Sequence, residues 1–481
     1  MKDKFSYVKK EDRKKILLLA DDIRLHSGIA TMSREIVLGT AHRFNWVNLG
    51  GAMNHPEDSK VFDLSQEVNK NRNLPDSSVI LYATSGYGTA EKVREIINRE
   101  KPDAILHFTD PRYWTWLYDI EREIRQQMPL MYLNIWDNYP APLYNKSFYE
   151  CCDLLMGISK QTVNINNIVL GDIAKEKLIK YVPHGINEEH FYPIQKDTQE
   201  YEELMETKAQ MFEGDNPDFV VLWNSRNIRR KSPGDVILAY RQFCDTIGKD
   251  SAKKCALILH TQPVDQNGTD LYAVRDALCD PDYVKVYFST EKLTAPQMNA
   301  LYNIADVTML ISSNEGWGLS LTESMMTGNM IIGNVTGGMQ DQMRFIDDNK
   351  EWYTPSPEIP SNHMATYLEH GEWAVPVFPS NISLAGSVPT PYIFDDRCDF
   401  RDVAQAIKEV YELPKEERER RGMTGRDWAS SDESGMSARM MCSNLIDSVE
   451  QCFENFTPRS QYDLIQIETL ESKYVPHSIV Y

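Results

Sequence analysis

Two glutamates eight positions apart, Glu315 and Glu323, bracket the stretch "EGWGLSLTE". Gly316 and Gly318 between them let the backbone turn tightly and approach a ligand closely. A helix opening near Leu319 leaves its first amide N–H groups unpaired. Those amides, here of Gly318, Leu319 and Ser320, form with the helix dipole a site for phosphate. Carboxylates repel phosphate, so the two glutamates call for a different neighbour. Side chains tilt back toward a helix start, which lets Glu323 accept hydrogen bonds from a diol beside the phosphate, such as a ribose. Glu315, ahead of the helix, reaches the far side, where a hydroxyl-rich sugar would supply donors. Nucleotide, diphosphate and sugar in that order describe a nucleotide-sugar. Taken alone, the E-x7-E spacing reads better as an ordinary cap and a surface residue.

The spacing is not alone. "WNSRNIRRKSPGDVILAY" sets Arg226 and Lys231 just past a strand, where a guanidinium fork and an ammonium point charge can converge on a diphosphate. "SGIA", residues 27–30, is a glycine turn at Gly28 that follows the first strand and opens a helix. The D-x-D formed by Asp280 and Asp282 lies between a helix and a strand and reads as turn chemistry, so no metal is called for.

These residues need a scaffold, and the chain alternates short apolar runs with helical patterns. "KILLLA", "FNWVNL", "SVILYA", "DAILHF", "LMYLNI" and "DLLMGIS" come first. After an acidic stretch, "FVVLWN", "ALILH", "VKVYF", "DVTMLI" and "NMIIGN" resume the pattern. Continuous apolar strands separated by helices predict parallel sheets covered on both faces. The expected class is α/β, with two doubly wound, Rossmann-like domains facing a cleft and a joint near residue 194. Residues 1–193 form the first domain, on the acceptor side. Residues 194–454 form the second, on the donor side, and a tail from about 455 to 481 packs back on the first. Ligands in such sheets sit beyond the carboxyl ends of the strands. Residues 345–400 break the alternation and are rich in Pro, Asn, Tyr and Trp, which predicts an ordered, packed insertion.

Composition narrows the class. The chain has 481 residues, 42% hydrophobic and 25% charged, as a packed globular protein does. No run approaches the roughly eighteen apolar residues of a membrane helix, and the charged N-terminus has no apolar signal core. The eight cysteines form no C-x-x-C or Cys/His cluster, consistent with reduced core residues in a cytoplasmic protein. A net charge of −20 excludes a generally basic surface but leaves room for a local basic cleft. Basic residues cluster from Lys9 to Lys15 and from Arg226 to Lys231.

With "VPHGINEEHFYP" closing the first half, and Gly337–Gly338 following the glutamate motif, the set resembles the retaining GT-B glycosyltransferases of family 4. The resemblance covers most of the chain and is specific over residues 218–341. It implies that Arg226 and Lys231 clamp the diphosphate, Glu315 contacts the donor sugar and Glu323 the ribose. It implies also that Tyr287 and Phe288 lie near the base and that His107 is the active-site histidine. Asp137 and His184 are secondary candidates. The donor implied is a UDP- or GDP-sugar, with no metal required.

The acceptor is read by analogy. The block from "GGMQDQM" to "TPYIFDDRCDF" looks like that of glycosyltransferases of tailed phages, some of which modify hydroxymethylated pyrimidines. The leading expectation is therefore 5-hydroxymethylcytosine in phage DNA. The basic arm Lys9–Lys15 and the absence of any membrane device support it, and Trp352, Tyr353, Trp373 and Phe378 are candidates to stack on the base. A carbohydrate, lipid or protein acceptor is the alternative, and a nucleotide-sugar 2-epimerase of the same fold the more distant one.

Overall fold

The computed structural model describes residues 5–460. The first sheet has eight strands: β1 (Lys14–Asp21), β2 (Phe44–Ala52), β3 (Val61–Asp63), β4 (Val79–Ser85), β5 (Ala104–His107), β6 (Leu130–Asn134), β7 (Leu154–Gly157) and β8 (Leu178–Tyr181). Their spatial order is β3-β4-β2-β1-β5-β6-β7-β8, and all pairs are parallel except the edge pair β3–β4. Ile16 through Ala20 are fully buried, as a strand covered on both faces requires.

The second sheet has six parallel strands: β9 (Phe219–Asn224), β10 (Cys255–His260), β11 (Val286–Ser289), β12 (Val307–Leu310), β13 (Met330–Asn334) and β14 (Ala374–Val377), in the order β11-β10-β9-β12-β13-β14. A separate antiparallel hairpin follows, β15 (Asn381–Ser387) and β16 (Thr390–Arg397).

Three features depart from the pattern expected of the sequence. Strand β8, "LIKY", is only half-buried and reads as polar. Strand β14, "AVPV", lies inside the block expected to be an insertion, and it pairs with β13 to extend the sheet. Its proline sits on an edge strand, where a missing N–H is tolerated. The helix Ala438–Asn455, counted with the second domain from sequence, packs instead on the helix Gly28–Thr40 of the first. There Gly39 leaves room for the Cys442 thiol, and Arg43 pairs with Glu450. Just beyond that helix, Arg459 reaches Glu121 at 3.2 Å; the rest of the expected tail, residues 461–481, lies outside the described residues.

The aromatic residues of the 345–400 block are packing. Tyr353 and Trp373 are buried, Trp373 stacks on Trp428, Trp352 meets Trp428 edge-on at 5.0 Å and Phe378 lies against Phe345. They form no open stacking platform.

Candidate functional site

The carboxyl ends of the two sheets face each other across a cleft of about 670 Å³. From the second domain, β12 runs into the loop carrying Glu315, and the chain turns at Gly318 with φ of 91° into the helix Leu319–Met326. A side chain at Gly318 would be strained there, and none caps this helix. The Gly337–Gly338 turn clamps the loop from behind. Gly338 N–H donates to the Glu315 carbonyl at 3.1 Å, and a Cβ on Gly337 would collide with that same carbonyl. From the first domain, Ser27 caps the helix Gly28–Thr40 by accepting from Ala30 N–H. Gly28 faces Leu319, whose Cδ1 would lie 3.6 Å from a Cβ at that glycine. Two helix N-termini thus converge on one space.

The carboxylates differ in their surroundings. Glu315 is buried and accepts from Lys231 Nζ and, at 3.3 Å, from Arg230. Burial raises its carboxyl, but Lys231 and Arg230 outweigh burial and hold it below the usual carboxylate range. Among the described residues no cation pairs with Glu323. It accepts from the Tyr302 hydroxyl at 2.5 Å, and Tyr302 in turn accepts from Asn224 at 2.8 Å. Burial therefore pushes the Glu323 carboxyl up, with the Tyr302 bond opposing. One carboxylate is ion-paired and the other is held by a phenol, with its remaining oxygen available.

Arg226 and Lys231 both line the cleft, at different depths. Lys231 is buried on the turn Arg229–Lys231. Arg226 stands at the mouth, 64% exposed, and pairs with Asp265 at 2.9 Å. Arg230, given no role from sequence, also lines the cleft and anchors the loop through the Asn314 carbonyl at 2.8 Å. The run "RNIRRK" showed that cations gather here, and only the turn shows that Arg230 rather than Arg229 faces Glu315.

Two expectations need correcting. His107 does not line the cleft: both ring nitrogens are engaged, with Tyr118 Oη and Thr109 Oγ1 at 2.8 Å each, and the ring stacks on Tyr132. Burial pushes it down to about 3, so it is a neutral core histidine. Strand alternation explains this, because its neighbour Phe108 takes the opposite face and meets His184. Phe288 likewise lines a separate surface groove with Tyr272 and Arg275. The adjacent Ser289 bonds His260 at 2.9 Å, and His260 is the residue at the cleft wall.

The secondary candidates Asp137 and His184 do line the cleft. Asp137 is pushed up to about 6 by burial, which Arg230 opposes and Glu315 reinforces. His184 is pushed down to about 3 by burial, and its Nδ1 is unpartnered.

No family model matches this chain. Two curated relatives, the trehalose synthases of Thermococcus litoralis and Pyrococcus furiosus, are each 22% identical over 307 residues, covering 62% of this chain and 68% of theirs. Among solved structures, HepE of Anabaena in complex with UDP and glucose superposes with a TM-score of 0.62 at 14% identity, over 91% of this chain and all of that one. The sucrose-phosphate synthase of Thermosynechococcus elongatus superposes with a TM-score of 0.62 at 15% identity, over 92% of this chain. The fold is GT-B. In this GT-B chain the two Rossmann-like sheets are braced behind the cleft by Asp341, which accepts from Lys160 N–H at 2.9 Å and Tyr181 Oη at 3.0 Å. Among the described residues no helix is long and apolar enough to cross a membrane.

Proposed function

We propose that this chain is a glycosyltransferase of the retaining, family 4 type, moving a sugar from a nucleotide-sugar to an acceptor hydroxyl. One observation carries the reading: an uncapped helix start at Leu319 is flanked by Glu315 and Glu323 and faced by Lys231, Arg230 and Arg226. The amides of Gly318, Leu319 and Ser320 hold the diphosphate, and the cations neutralise it as it leaves, without a metal. Glu323 takes the ribose diol and Glu315 the sugar hydroxyls. The sugar carbon loses its bond to the phosphate oxygen and gains one to the acceptor oxygen on the same face, the acceptor proton passing to the leaving phosphate. UDP is the preferred nucleotide over GDP, because HepE was solved with UDP.

The acceptor we favour is 5-hydroxymethylcytosine in DNA, in a phage-type enzyme working in the cytoplasm. The basic arm no longer supports it. Arg13, Lys14 and Lys15 pair with Asp76, Asp103 and Glu100 at the start of β1, the end of the strand remote from the cleft. Support comes instead from Arg226 at the cleft mouth and from Arg229, 79% exposed on the adjoining turn, each paired with an aspartate, Asp265 and Asp395, yet open to solvent. A carbohydrate acceptor is the second reading, favoured by the trehalose synthase relatives.

The test is a panel of nucleotide-sugars offered with plain duplex, hydroxymethylcytosine duplex and free sugars. Nucleotide release with mass gain on the modified duplex alone, and an anomeric configuration unchanged by NMR, is expected. Inversion removes the retaining assignment, and mass gain on a free sugar alone moves the acceptor to carbohydrate.

A further inference from the structure

Three histidines are buried in the described residues, and they are treated differently. His107 has both ring nitrogens engaged, by Tyr118 and Thr109. His55 does too: Nε2 lies 2.9 Å from Asp22, and Nδ1 accepts from Glu57 N–H at 3.1 Å. His184 is 5% exposed, yet its Nδ1 has no hydrogen-bond partner among the described residues. Of the three, His184 alone lines the cleft. Buried polar atoms are hydrogen-bonded in the great majority of cases, because an unmade bond in an apolar setting costs free energy. A buried imidazole left short of partners at a cleft wall fits a partner that arrives through the cleft.

The surroundings hold this ring still. It sits at the seam of the domains, edge-on to Phe108 of the first at 5.7 Å and to Trp317 of the second at 6.4 Å. Its backbone is pinned to the start of the helix Ala438–Asn455. Ile186 N–H donates to the Met436 carbonyl and Ala438 N–H to the Ile186 carbonyl, each at 2.9 Å. Gly185 approaches Ser437 so closely that a Cβ would collide with the Ser437 carbonyl. Burial pushes the imidazole down to about 3, so it is neutral and carries a single N–H.

Position selects the partner. Trp317, which the ring touches, immediately precedes Gly318 and the helix start at Leu319. The lysine and arginines of the cleft, Lys231, Arg226 and Arg230, all belong to the second domain. Among the described residues the first domain brings no lysine or arginine to the lining, and His184 is its donor nearest that helix start.

We propose that the His184 imidazole N–H donates to a phosphate oxygen of the bound nucleotide-sugar, from the first-domain side of the Leu319 amides. The inference rests on the glycosyltransferase reading and adds the first domain's contact to the leaving group. A fixed donor of this kind gains strength as negative charge develops on the departing phosphate.

The experiment compares the wild-type chain with His184→Leu and His184→Gln. Affinities for free UDP and for uridine are measured by calorimetry, beside transfer from the preferred nucleotide-sugar and the unfolding midpoint. His184→Leu is expected to weaken UDP binding by about tenfold or more, the value of a hydrogen bond to a charged group, and to lower kcat. Uridine affinity should be unchanged, since uridine has no phosphate. The midpoint should hold or rise, because an unpartnered polar atom leaves an apolar wall. His184→Gln, which keeps an N–H, should recover most of the lost affinity. A lower midpoint in His184→Leu with UDP affinity intact would make the histidine merely structural and overturn the proposal. Loss of transfer with UDP affinity intact would move His184 to the sugar or acceptor, which also overturns the phosphate contact, as would a glutamine variant no better than leucine. If the wild type binds neither UDP nor GDP and releases nucleotide from no nucleotide-sugar, the glycosyltransferase reading itself falls.

Discussion

The two sides of the cleft are built on different plans. The second-domain side, where we place the donor, is one contiguous loop and helix, Ser312–Met326, closed by a glycine pair and one basic turn. Most of its polar groups are buried and paired, as with Lys231–Glu315 and Tyr302–Glu323. The first-domain side, where we place the acceptor, is gathered from the ends of β6 and β7, from "VPHG" and from a hairpin of the other domain. It holds unpartnered or displaced groups: Asp137 pushed up to about 6, His184 with a bare Nδ1, and a solvent-facing Val388. A site for an invariant diphosphate can be preorganised by local backbone, whereas one that selects an acceptor is assembled from distant segments that vary independently.

The largest expected effect breaks the donor side. Lys231→Ala should lower turnover by about a hundredfold or more. It also leaves the buried Glu315 with Arg230 as its remaining cation, at a cost below the roughly 3–5 kcal/mol of a fully unpaired buried charge. Arg226→Ala at the exposed mouth should lower turnover without changing the unfolding midpoint. Equal stability loss in both variants would mean that the two cations do not differ in depth as described.

The next effect separates the carboxylates. Glu323→Ala should weaken free-nucleotide affinity by about tenfold, the value of a charge-assisted hydrogen bond, while Glu315→Gln should spare nucleotide affinity and reduce transfer. Calorimetry with free nucleotide decides the matter; an equal loss in both reverses the order of ligand groups along the loop.

His107→Gln sharpens the contrast between core and cleft. It should cost about 1–3 kcal/mol by unpairing Tyr118 and Thr109, with turnover of the folded enzyme unchanged. A loss of turnover without loss of stability would restore His107 as catalytic. The pH dependence carries the same sign. With its folded value depressed to about 3 from 6.5, His107 contributes stability that is fully present above pH 6.5. That stability is lost as pH falls from there toward 3. His107→Gln should therefore flatten the denaturation midpoint over this window. The smallest effect is expected for Phe288→Leu, which should leave nucleotide affinity intact, because the ring lies in a groove outside the cleft.

Much of the second-domain wall of the cleft was legible from residue types, because glycine, carboxylate and helix start are adjacent in the chain and spacing there is geometry. The strands of both sheets were legible where they were continuously apolar, as in "KILLLA" and "FVVLWN". Strand β8 was not, since half-buried polar edges carry no such signal, and β14 was hidden among prolines. His107 was misplaced because period-2 alternation in a strand buried on both faces leaves no polar side to tell which residue faces the cleft. Phe288 was misplaced because β11 is a half-buried edge strand whose apolar residues cover a surface groove.

The sequence by itself determined the α/β alternation, the uncapped helix start at Leu319 and the identity of Lys231, Glu315 and Glu323 as its polar neighbours. Local backbone preferences and hydrophobic period act over a few residues and need no distant partner. Only the tertiary structure decided that Arg230 joins Lys231 on Glu315, that Asp137 and His184 rather than His107 face the cleft, and that the hairpin at 381–397 spans both domains. Those contacts join residues from 85 to 256 positions apart, and their geometry depends on how two sheets and their loops pack, which no local pattern encodes.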